Sequence, residues 1–108
     1  LALAETAQIS RAIAAFEKSI ESDPNLARAH YNLGLARSQA GEPQAALDAI
    51  ARAESIDPRQ ADYPYARATI LARIGRVAEA RSAALRALEI SPERPDIQEI
   101  ARMLGAGR

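Results

Sequence analysis

The sequence has no cysteine and a single histidine, His30. That excludes a disulfide framework, cysteine-based zinc sites and thiol chemistry. It also leaves no second imidazole for a metal pair or a proton relay. Tryptophan is absent, and Phe16, Tyr31, Tyr63 and Tyr65 are the whole aromatic complement. Five glycines and six prolines are too few for a collagen-like or linker chain. Fourteen basic residues balance fourteen acidic ones. Bulk attraction to nucleic acid or anionic lipid therefore has no basis, and neither is an expected partner. No apolar run approaches the roughly 18 residues needed to cross a bilayer, and no intact signal peptide is visible.

What remains is a chain of 108 residues, 48% apolar and 26% charged, as in an ordinary globular domain. Alanine supplies 26 residues, whereas valine occurs once and threonine twice. Alanine is the best intrinsic helix former and lets helices approach closely, so the composition predicts an all-α fold. Thirteen of the fourteen basic residues are arginine. Arginine suits planar recognition of carboxylates, but a GC-rich genome produces the same bias, and the genomic reading is preferred.

A period of 34 runs through the chain. It relates Pro24, Pro58 and Pro92, Gly41 and Gly75, Ala12, Ala46 and Ala80, and Ala53 and Ala87. The glycines fit left-handed positions just past helix ends, and the prolines stop a helix before them. Each unit therefore reads as two helices joined by a tight glycine turn. The predicted helices cover 9–22, 26–40 with Asn25 as N-cap, 43–56, 62–74 with Asp62 as cap, 77–90 and 95–104. Residues 1–8 extend the first helix or form a short separate one. Ala46, Leu47, Ile50 and Ala53, and later Ala80, Ala84, Ala87 and Leu88, form the expected buried stripes, with Glu54 at an edge.

These residues resemble the tetratricopeptide repeat family. The second unit carries the likeness best, through Tyr31, Leu33-Gly34, Gly41, Ala46, Ile50, Ala53 and Pro58. The third retains Gly75, Ala80, Ala87 and Pro92 but has Arg67 where the family has leucine. The first keeps Ala12, Phe16 and Pro24, with Ala7 at the place of the glycine. The expected organisation is a single domain: a partial repeat over 1–26, full repeats over 27–60 and 61–94, and a capping helix and tail over 95–108. The resemblance implies a right-handed superhelical solenoid of antiparallel helix pairs, with the first helix of each pair lining a concave groove. It implies a non-enzymatic scaffold binding a partner peptide or helix in that groove. The alternative is a structural spacer or oligomerisation arm fused to an upstream enzyme or cytochrome-like domain.

The same geometry points Arg28, Tyr31, Asn32, Leu35, Ser38 and Gln39 into the groove. From the next unit come Asp62, Tyr65, Ala66, Thr69, Ala72 and Arg73, and the terminal helix adds Asp96 and Glu99. Tyr31 and Tyr65 offer apolar area and a hydroxyl at low entropy cost, although simple packing between helices explains them equally well. Members that bind chaperone tails use a clamp of basic and asparagine residues. Asn32 matches it, but Asp62 and Ala66 stand at its later basic places, so no strong preference for an acidic tail is expected. Catalytic, cofactor and metal residues are expected to be none. His30 reads as a packing residue, Glu17 and Glu21 as solvated surface charge, Met103 as a cap contact, and Gly105–Gly107 as a tail.

The apolar start, Leu1-Ala2-Leu3-Ala4, with no initiator methionine, predicts a piece of a longer protein. Its N-terminal surface would be covered upstream or by a second copy. Self-association through that end is therefore one expectation. Cytoplasm is the expected compartment, with periplasm left open because an absence of cysteine does not separate the two.

Overall fold

The computed structural model describes residues 2–106. Every element among them is a helix: α1 (Leu3–Ser22), α2 (Ala27–Gln39), α3 (Pro43–Ile56), α4 (Asp62–Arg73), α5 (Val77–Ile90) and α6 (Pro95–Met103). The chain divides into two compact units, Leu1–Pro58 and Arg59–Arg108.

In the first unit α2 and α3 form a tight hairpin, and α1 packs on α2. The close approach is set by Gly34. A Cβ built there would lie 2.6 Å from Ile50 Cγ1 and 3.0 Å from the Ala46 carbonyl oxygen. Ala46, Leu47, Ile50 and Ala53 of α3 are buried, as the stripe predicts; Ala49 is buried beside them, and Glu54 is half-buried at the edge. In the second unit α4 and α5 pair, and α6 packs mainly on α5. Ala80, Ala83, Ala84 and Ala87 are buried in α5, and Ala61, Ala87 and Ile97 form a core cluster against which Tyr65, Leu88 and Ile90 pack.

The punctuation works as expected. Gly41, Gly75 and Gly105 have φ of 80°, 84° and 78°. At each, two carbonyls of the last helical turn are capped. Gly41 N–H donates to the Ser38 carbonyl and Glu42 N–H to that of Arg37; Gly75 and Arg76 repeat the pattern on Ala72 and Leu71, and Gly105 and Ala106 on Arg102 and Ala101. This is the Schellman arrangement, which needs a left-handed residue that glycine adopts without a Cβ penalty. The helices that precede the prolines end alike. Asp23, Asp57 and Ser91, 34 residues apart, each donate N–H to a carbonyl four residues back at 2.9 Å.

One alternative left open by the sequence is settled, and two cap assignments differ from the sequence reading. Residues 3–8 belong to α1 itself, because Ala7 stands where the later units have Gly41 and Gly75, and alanine continues a helix. Leu3–Glu5 is thus its first turn rather than a separate helix, while Leu1 lies outside the described residues. Asn25 is not the cap of α2: Leu26 holds that place, and the Asn25 N–H donates to Asp23 Oδ1 at 3.1 Å. Asp62 is the first residue of α4, with Ala61 as cap. Met103 is 71% exposed and makes no cap contact by burial. Of the expected tail, Gly107 lies outside the described residues.

Candidate functional site

On α2, Arg28, Leu35 and Gln39 are exposed, and Tyr31, Asn32 and Ser38 are half-buried. Arg28 and Tyr31 stand one turn apart, so the guanidinium lies over the ring, 5.1 Å from its centroid. On α4, Asp62, Tyr65, Thr69 and Ala72 are half-buried and Arg73 is exposed, whereas Ala66 is buried and has no open surface to offer. Thr69 turns its hydroxyl back to donate to the Tyr65 carbonyl at 3.0 Å.

The decisive residue on this second face, Arg94, was not among those expected. It precedes Pro95, and its Nη1 donates to Asp62 Oδ1 at 2.6 Å. Its Nε and Nη2 grip Asp96 Oδ1 and Oδ2 at 3.2 and 2.7 Å. The guanidinium carbon lies 5.9 Å from the Tyr65 ring centroid. Hydrogen bonds to Asp96, then Asp62, push the Arg94 guanidinium above its ordinary value. The Asp96 carboxyl is held below its own, chiefly by Arg94 and further by the Ile97 N–H. Asp62 and Asp96 therefore face a cation of their own chain. The one sequence signal for this was the Arg94-Pro95-Asp96 run at a helix start; the Asp62 partner lies 32 residues away. Glu99 bonds Arg102, which holds its carboxyl low.

Elsewhere, His30 is buried, with Nε2 2.9 Å from the Pro24 carbonyl oxygen, as a packing residue should be. Glu17 is not merely solvated: it accepts from Arg37 Nη2 at 2.7 Å while Arg37 Nη1 donates to Glu42 at 2.8 Å. These bonds, Glu42 foremost, raise the Arg37 guanidinium above its ordinary value. Sequence reasoning also missed a cleft of 420 Å³ in the first unit, floored by His30, Leu33 and Arg37 and walled by α1 and by Ala45, Ala49 and Arg52 of α3. Among the described residues no group of His, Cys, Asp and Glu could hold a metal ion, and no helix is long and apolar enough to cross a membrane.

Two family models match, one described as TPR repeat over residues 2–41 and one as tetratricopeptide repeat over 38–95. No curated protein matches the sequence. Solved structures do. The Arabidopsis OM64 TPR domain superposes with a TM-score of 0.86 at 20% identity, covering 94% of this chain and 84% of that one. The first TPR of Spaghetti (RPAP3), bound to an HSP90 peptide, gives 0.85 at 17%, covering 94% and 80%. The Yersinia enterocolitica type III secretion chaperone SycD, in complex with a peptide of the translocator YopD, gives 0.80 at 22%, covering 94% and 77%. At these identities the likeness is one of fold. With the family model spanning more than half its length and glycine-turned helix pairs repeating every 34 residues, the chain belongs to the tetratricopeptide repeat family.

Proposed function

We propose that this chain is a non-enzymatic protein-interaction scaffold that takes a partner peptide or helix on the outward faces of its first helices, α2 and α4. The observation that carries the reading is the pair of tyrosines 34 residues apart. Tyr31 and Tyr65 are each half-buried, and each has a guanidinium over its ring. Buttressed in this way, a tyrosine keeps an amphipathic edge at little entropy cost, which suits contact with another polypeptide. Arg28, Asn32, Leu35 and Gln39 add polar and apolar surface beside Tyr31; Asp62, Thr69 and Arg73 flank Tyr65. Two relatives of the same fold, Spaghetti and SycD, are solved with peptides, which supports the class of partner. No nucleophile stands beside a general base among these residues, so they suit binding rather than catalysis.

One observation favours the spacer reading instead. Tyr65 packs against the Ala61, Ala87 and Ile97 cluster and so has a structural role. Selecting a random peptide library on the chain separates the two. The scaffold reading expects enriched peptides whose binding falls at least about tenfold in Tyr31→Ala, a loss of the size of one interface hot spot, with the melting temperature unchanged. No enriched peptide, or binding indifferent to Tyr31 and Tyr65, favours the spacer.

A further inference from the structure

The 420 Å³ cleft of the first unit is walled by α1, α2 and α3, all helices of that unit, so it is formed whatever precedes α1. Its size lies within the range of small-ligand sites. His30, Leu33 and Arg37 line it from α2, about half a helical turn around from Arg28, Tyr31 and Leu35. It is therefore a different face of α2 from the one proposed for a partner polypeptide, and does not depend on it. Ile20, Leu33, Ala45 and Ala49 give the cleft an apolar lining. At one end Arg37 is already engaged by Glu17 and Glu42.

Two groups in the cleft are not engaged. His30 is only 8% exposed, and its Nε2 lies 2.9 Å from the Pro24 carbonyl oxygen. A carbonyl only accepts, so Nε2 carries the hydrogen and Nδ1 a lone pair. Nδ1 has no partner among the described residues. No fully buried side-chain nitrogen or oxygen among them lacks one, so Nδ1 reaches open space at the cleft that its residue lines. Arg52 is exposed and makes no ion pair or side-chain hydrogen bond among the described residues. Register brings the two together. Gly34 of α2 meets Ala46 and Ile50 of α3, the residues on either side of Asp48. In an antiparallel hairpin, one turn back to His30 on α2 is one turn on to Arg52 on α3. Asp48, one turn or about 6 Å from Arg52, also lines the cleft and accepts from Gln44 Nε2 on one carboxylate oxygen only, at 3.1 Å.

We infer that this cleft is a binding site for a free dipeptide of apolar residues. Its carboxylate pairs with Arg52, its ammonium pairs with Asp48, and its peptide N–H donates to His30 Nδ1. That N–H belongs to the residue bearing the carboxylate, as His30 stands level with Arg52. Two extended residues span at most about 7 Å, which matches the separation of Arg52 and Asp48. The apolar side chains cover Ile20, Leu33, Ala45 and Ala49. Other occupants answer fewer of these groups. A single amino acid has no peptide N–H for His30, a fatty acid has no ammonium, and a longer polypeptide does not bring both terminal charges to this spacing.

His30 is the sole histidine, so its ring nitrogens can be followed alone in a long-range proton–nitrogen correlation spectrum. Leucyl-leucine is expected to shift the Nδ1 resonance saturably, with a dissociation constant of about 1 mM. N-acetyl-leucyl-leucine and leucyl-leucinamide are expected to bind at least about threefold more weakly, each having lost one exposed ion pair. Arg52→Gln is expected to erase the difference between leucyl-leucine and its amide, and Asp48→Asn the difference between leucyl-leucine and its N-acetyl form. Both residues are exposed, so the far-ultraviolet spectrum is expected to stay the same. Glycyl-glycine is expected not to bind. The absence of a saturable shift overturns the inference. So does an N-acetyl peptide that binds as tightly as leucyl-leucine, because the occupant is then the C-terminus of a polypeptide. Equal binding of glycyl-glycine overturns it as well, because the apolar lining then selects nothing.

Discussion

Gly34 and Gly41 are both glycine for steric reasons, but the reasons differ and so do the consequences of replacing them. Gly34 is helical and lacks room: its missing Cβ would sit 2.6 Å from Ile50 Cγ1, an atom near the root of a fully buried side chain that has nowhere to go. Gly34→Ala is expected to push α2 and α3 apart at a cost of about 1–3 kcal/mol, the usual range for overpacking a tight contact. Gly41 has open space around its Cβ position but a φ of 80°. Gly41→Ala is expected to cost about 1 kcal/mol of backbone strain. Chemical denaturation tells the two apart through a second substitution. Gly41→Asn is expected to recover much of the loss, because asparagine tolerates the left-handed region. Gly34→Ser, with the same Cβ, is expected to recover none.

Among the elements, α6 is tied to the start of α4 by Arg94, and that tie is sensitive to acid. Asp96 titrates below its ordinary value of 3.8, chiefly because Arg94 bonds its charged form. A carboxyl depressed on folding contributes stability that is fully present above its unfolded value and is lost as pH falls through the folded one. Its side chain is 43% exposed, so solvent screening keeps the contribution under about 1 kcal/mol. Wild-type and Asp96→Asn proteins are expected to differ in urea midpoint at pH 6 and to converge below the ordinary carboxylate range. A gap that does not shrink at all between pH 6 and pH 2.5 places the effect of Asp96 elsewhere. Arg94→Ala is expected to lose the same acid-sensitive portion.

This tie also marks where the sequence ceased to be legible. Helix ends could be read because glycine, proline and small residues act locally, within a turn of where they stand; α3 and α5 were readable to their last residues for that reason. The start of α1 was harder, since Ala7 gives no stop signal at all. Arg94 could not be read: its partner Asp62 is set by how α4 and α6 pack, and nothing in a 34-residue period couples positions 62 and 94. Tyr31 and Tyr65 could be placed as equivalents, but not the different routes by which an arginine reaches each ring.

At the scale of the whole molecule, the formal charge is zero, so what a charged ligand meets depends on how the charges are distributed over each unit. The outward face of α2 brings one cation, Arg28, beside Asn32, and α2 contains no acidic residue. Arg37 of the same helix is engaged by Glu17 and Glu42. In the other unit, α4 opens on Asp62, and Asp62 and Asp96 are balanced by Arg94 and the exposed Arg73. An acidic C-terminal peptide thus finds a cation on one face and balanced charge, opening on Asp62, on the other. We expect a peptide such as SRMEEVD, the HSP90 segment bound to Spaghetti, to bind this chain with a dissociation constant weaker than about 100 μM. Asp62→Arg reverses the sign at the start of α4 and leaves Asp96 to hold Arg94. It is expected to strengthen binding about tenfold at low salt, with the gain fading as ionic strength shrinks the Debye length. Micromolar, salt-sensitive binding by the wild type would falsify this account of the charge distribution. An Asp62→Arg variant no better than wild type would mean that neither α4 nor Arg94 faces the bound peptide.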